Sequence, residues 1–313
     1  MMKFVKAIPM AIVSIALALA ALGNLLLASF GPYWATTRYI LGVAAFVVLL
    51  VYLIKIIFHF PHAREEFKTP IPLSVLPTAT MALMLLSAHI RPYLPGFALG
   101  MWYASVGLHL LIMLFFIIRF VPKFKLGTVF PSWFIVAAGI ITTSVTAPAM
   151  SAQPLGQVAF YVGVGLYVIT LIAVVARMAN KNLNWPEPAR HTIAIFTAPM
   201  SLAIVGYFSS FAPYERSDVV VFALIGAALV SYLYVTLMMV FKLLPIKFYP
   251  TYAAFTFPYV ISALAFRLAN GFLTYNGIYF FTPMVYISLY IAIIVVAFVI
   301  LHYIRYFKFW VKF

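Results

Sequence analysis

No cysteine occurs in the 313 residues, and only five residues carry a carboxylate: Glu65, Glu66, Glu187, Glu215 and Asp218. Without thiols there is no disulfide framework, no thiolate nucleophile and no thiolate metal site. None of the five acids lies in the interior of an apolar run. Cation pathways and most proton relays place carboxylates within the membrane, so their absence argues against both. Charge of either sign is scarce, at 8% of residues, while 66% are hydrophobic. A soluble domain cannot hide that much apolar surface, so the solvent of this chain is lipid. No phosphate-binding glycine loop is visible, which excludes ATP drive from a familiar motif. No nucleophile, base and orienter set is recognisable, so the chain does not read as an enzyme.

What is present begins with long apolar runs. Ten reach the roughly 20 residues needed to span a bilayer, at about 7–29, 38–60, 71–90, 96–121, 130–150, 155–178, 191–211, 218–244, 251–270 and 283–307. The start, "MMKFVKAIPMAIVSIALALAALGNLLLAS", has the two lysines and apolar run of a signal peptide. Its run is too long, so it reads as the first spanning helix. Connections are short, which predicts five antiparallel hairpins in one domain over 1–313. The basic residues test this count. Arg38, Arg91, Arg216 and Arg267 fall on one side and the other sixteen, from Lys3 to Lys312, on the opposite side. By the positive-inside rule both termini are cytoplasmic, in a multi-pass protein of the cell membrane. The net charge of +15 then reflects helix flanks facing lipid headgroups, and not a nucleic-acid partner.

Proline separates the helices into two sets. Pro9, Pro77, Pro131, Pro199 and Pro258 lie in or at the start of the first, third, fifth, seventh and ninth, while the interiors of the even helices contain none. This is a weak repeat of helix pairs. The odd helices are also rich in small and hydroxyl residues, as in "AAGIITTSVTAPA" (137–149). A proline frees a carbonyl that lipid cannot satisfy, whereas neighbouring helices or a watery path can. The predicted architecture is therefore all-α, with odd helices around an inner pore and even helices as an outer ring. A pore without buried acids suits anions. Thr142 and Thr143, with Ser144 and Thr146, are candidate hydroxyl donors along it, as are Thr78 and Thr80. "HFPHAREE" (59–66) has metal-like spacing at His59, His62, Glu65 and Glu66, but Pro61 interrupts it and it reads as a solvated loop. No metal or cofactor is expected. His109 reads as an interhelical hydrogen-bond partner.

"FTFP" (255–258), "REEFKTP" (64–70), "FPSWF" (130–134) and "TAPMSLAI" (197–204) resemble, in order and placement, the motifs of the tellurite-resistance TehA, plant slow anion channel and dicarboxylate transporter family. The resemblance covers essentially the whole chain. It implies a pore along the odd helices, blocked midway by the phenylalanine before the ninth-helix proline, here Phe257. It implies a homotrimer whose subunits each have a pore, passing small inorganic anions. The alternative within the family is a carrier or exporter of malate-like dicarboxylates, sulfite or tellurite. Phe130 stands where some members have histidine. At about 100° and 1.5 Å per residue, Arg267 lies roughly 15 Å beyond Phe257 and about 80° around. That places it near the outer mouth, where it would attract anions.

Overall fold

The computed structural model describes residues 2–180 and 182–311. Lys181 and Lys312, two of the sixteen basic residues counted above, lie outside the described residues, as does the side chain of Lys3. Every regular element described is helical. Among the described residues, nine helices are long and apolar enough to cross a membrane: α1 (Ile12–Phe30), α2 (Pro32–Phe58), α3 (Pro70–Ile90), α4 (Pro95–Phe120), α6 (Gln153–Ala179), α7 (Glu187–Ser210), α8 (Asp218–Leu243), α9 (Pro250–Tyr275) and α10 (Thr282–Lys308). The segment expected at 130–150 is not a continuous helix. It is broken into Trp133–Ala138 and Ile141–Thr146, together α5, followed by a 3-10 turn at Ala147–Met150. Between the two pieces sits Gly139, where a Cβ would lie 2.9 Å from the His109 ring and 3.0 Å from Met81 Sδ. After it the backbone tightens to i→i−3 bonds, Thr142 N–H to Gly139 O at 3.0 Å and Thr143 N–H to Ile140 O at 2.9 Å.

Burial alternates along the chain. The apolar windows of α1, α3, α7 and α9 are 78%, 67%, 83% and 78% buried, against 22–39% for α2, α4, α6, α8 and α10. The odd elements pack in sequence, α1 on α3, α3 on α5, α5 on α7, α7 on α9, and α9 returns to α1. Five inner elements thus close a ring, and each even helix packs against the odd helix before it. The outward faces carry Ile40, Val43, Phe46, Leu111, Ile169, Ile172, Val230 and Ile294, a surface that is stable in hydrocarbon and would aggregate in water.

Hydroxyl groups stitch the ring at four of its five seams. Ser14 Oγ meets Thr78 Oγ1 at 3.5 Å between α1 and α3. Ser74 Oγ donates to Ser132 Oγ at 2.7 Å between α3 and the start of α5. Ser144 Oγ donates to Gly206 O at 3.0 Å between α5 and α7, and Ser201 and Ser262 bond at 2.8 Å between α7 and α9. Small side chains let the backbones approach, and polar ones then bond across the seam.

The prolines act as breaks near the start of each inner element. Pro9 follows the short helix Met2–Ala7, Pro77 follows Pro70–Val75, Pro199 follows the 3-10 stretch His191–Thr197, and Pro258 follows the 3-10 stretch Pro250–Phe255. Sequence reasoning expected the freed carbonyls to turn to neighbours or water. At three breaks they are instead taken up locally by the residue before the proline. Ile8 N–H reaches Val5 O at 3.3 Å, Leu76 N–H reaches Leu73 O at 3.3 Å, and Ala198 N–H reaches Ile195 O. A 3-10 turn is one residue tighter than an α turn, so the donor moves up by one position and no carbonyl is stranded.

Candidate functional site

The breaks surround a cavity of about 270 Å³. All five inner elements contribute to its wall, each through its N-terminal part: Pro9 and Ser14, Pro72 and Thr78, Phe134 and Gly139, Pro199 and Leu202, Phe257 and Pro258. Among the described residues, no even helix reaches it. One further residue does, Glu66, from the short helix Phe60–Glu66 between α2 and α3. On α9 the wall begins at Pro250 and ends at Phe257 and Pro258, so this phenylalanine stands at one end of the cavity. Its side chain is held by the ring and is 6% exposed. The wall is otherwise mostly apolar, with hydroxyls at Ser14, Thr78, Thr192 and Thr251.

The residues singled out from sequence divide into two groups. Pro9, Pro199, Phe257, Pro258 and Thr78 lie on the cavity wall. Pro77 and Pro131 are buried beside the breaks but off the wall, while their neighbours Thr78 and Phe134 are on it. Thr142 and Thr143 are also off the wall. Thr143 Oγ1 points to Met84 Sδ at 3.7 Å, and Thr142 Oγ1 is buried without a hydrogen-bond partner. Thr146 accepts the Trp102 indole N–H at 2.7 Å, and Thr80 bonds His109 Nδ1 at 2.8 Å. Most hydroxyls of α3 and α5 therefore face helix seams. Arg267 is exposed on α9, ten residues past Phe257, away from the wall.

Two side chains were missed. Lys55 in α2 is 2% exposed, and its Nζ lies 2.7 Å from Glu66 Oε1. The ammonium also donates to Ile8 O at 2.5 Å, and Tyr52 O–H donates to Glu66 Oε2 at 3.3 Å. Glu66 is thus not part of a solvated loop. The signal available was a lysine inside "VYLIKIIF" (51–58), buried where a flanking cation was expected. Phe130 has a similar explanation. Its ring lies 4.3 Å from the Arg177 guanidinium, which donates to Leu126 O at 2.9 Å and Asn184 O at 3.3 Å. An aromatic face there supports a buried cation.

The fold and the cavity define an all-α integral membrane protein whose inner helices enclose a space with little net charge on its wall. The chain belongs to the voltage-dependent anion channel family (SLAC1), which it matches over residues 5–304. That membership assigns it to anion channels and transporters, a family of proteins that move solutes and are not enzymes. A search of the curated proteins gives no match.

Proposed function

We propose that the protein is an anion channel, passing small inorganic anions along the axis of the inner ring, with Phe257 as a steric gate. The observation that carries this is the closed ring of five proline-broken elements around a cavity that ends at Phe257. The N-terminal parts of the inner elements, broken near their prolines, line the cavity on one side of the gate. Pro258 places Phe257 within the first turn of the α-helical part of α9, where its ring closes the path. Arg267, further along α9 and exposed, raises the anion concentration at the opposite mouth. The whole chain acts as one domain crossing the cell membrane ten times, with α5 as the broken crossing and both termini cytoplasmic. Lipid surrounds the even helices, and the assembly is a homotrimer with a path in each subunit.

The cavity also weighs against a carrier for doubly charged anions. Such a site needs fixed cations, and among the described residues no lysine or arginine lies on the wall. The test is reconstitution in planar bilayers with the Phe257→Ala variant alongside. The reading expects anion-selective current that grows on truncation. Saturable malate or sulfite uptake without current would replace the channel with a carrier.

A further inference from the structure

We propose that Lys55 and Glu66 set the charge of the inner mouth and so tune its preference for anions, a role that rests on the conduction path proposed above. Glu66 is the one ionisable side chain on the cavity wall among the described residues. A bare carboxylate there would repel the anions the path carries. Lys55 stands directly behind it, at 2.7 Å, and is anchored by Ile8 O, one residue before Pro9 on the same wall. The two partners are not equivalent. Glu66 is 26% exposed and faces the cavity, whereas Lys55 is 2% exposed and sits in the second row. A purely mechanical tie between α2 and the N-terminal segment has no need of an acid turned toward the path. The neighbouring Glu65 shows the contrast: its partner Lys68 is 2.6 Å away, and both side chains are largely exposed.

The arrangement leaves a near-neutral mouth that neither excludes nor traps an anion. A free ammonium would hold the ion, and a free carboxylate would turn it away. Because burial lowers the effective dielectric, unbalancing the pair has a larger effect on a passing ion than a surface charge has. Glu66→Gln keeps an acceptor for Lys55 and a group for Tyr52 while removing the negative charge. Lys55→Gln removes the positive charge and keeps a donor for Ile8 O.

Two measurements test this. In bilayers with a potassium chloride gradient, Glu66→Gln should raise the anion-to-cation permeability ratio by about three- to tenfold, and Lys55→Gln should lower it by a similar factor. The double variant should return toward the unsubstituted protein. The second measurement needs no current: detergent-solubilised protein is heated in nitrate or gluconate at matched ionic strength. Nitrate should stabilise Glu66→Gln more than the parent and Lys55→Gln less, since a ligand stabilises the state that binds it. If the three variants only lose thermal stability, with unchanged permeability ratios and equal nitrate effects, the pair is a structural tie and the proposal is overturned. If no protein carries current but the nitrate order holds, the charge balance stands and the channel reading fails by itself.

Discussion

Replacing Phe257 with alanine separates the cost of a packed ring from the cost of a closed path. The ring is 6% exposed and stands at the end of the cavity. Truncating a buried phenylalanine costs about 3–5 kcal/mol in well-packed cores. Here one side of the ring already borders empty space, so the loss should fall near the lower end, about 3 kcal/mol. Swinging the ring aside gives up only part of its contacts, on the order of 1.5–3 kcal/mol. If that is the barrier to an anion, its removal raises conduction by about 10- to 100-fold, at tenfold for each 1.4 kcal/mol. Single-channel or macroscopic chloride current in planar bilayers reads the rate, and thermal unfolding in detergent reads the stability. Phe257→Leu should lie between the two in both assays. A folded alanine variant whose current equals that of the parent refutes the gate, because the ring would then not stand in the path.

Other substitutions test the ring and its mouths. Thr146→Val removes the acceptor of the Trp102 indole N–H, bonded at 2.7 Å, and should lower stability by about 1–3 kcal/mol without changing anion selectivity. At Gly206 a Cβ would lie 2.8 Å from Ile141 Cγ2 and 3.1 Å from Ser144 Oγ. Gly206→Ala should therefore force α5 and α7 apart and cost about 1–3 kcal/mol, read as a lower unfolding temperature. Arg267→Gln should reduce current about twofold in dilute salt, with the difference vanishing near 1 M, where the screening length falls to about 3 Å.

The membrane class and most of the crossings are legible in the sequence because lipid imposes length and hydropathy on each segment. The inner and outer sets are legible through proline, which the even helices exclude from their interiors. The break inside α5 is not. Trp133–Ala138 and Ile141–Thr146 are as apolar as their neighbours, and what divides them is contact: Gly139 sits against His109 and Met81. The fate of the proline-freed carbonyls also escaped, since composition does not distinguish an open carbonyl from one taken up by a 3-10 turn. Which hydroxyls reach this cavity was not legible either. Thr142 and Thr143 have the right chemistry, yet neither lies on its wall, and Thr143 Oγ1 points to Met84 Sδ, because composition does not fix a side chain's azimuth. From sequence Lys55 reads as a flanking cation, because periodicity does not show that the short helix Phe60–Glu66 folds back to deliver Glu66 to it.

The absence of cysteine makes one experiment unusually direct. Ala254 lies on the cavity wall, three residues before Phe257, and a single cysteine placed there reports access from either side. A negatively charged methanethiosulfonate applied from the side of the termini should modify Ala254→Cys and block anion flux whether or not Phe257 is present. Applied from the opposite side, it should react only when Phe257 is also replaced by alanine. Reaction from that opposite side with Phe257 intact, or no reaction from either side in both backgrounds, would contradict a path through this cavity closed by Phe257.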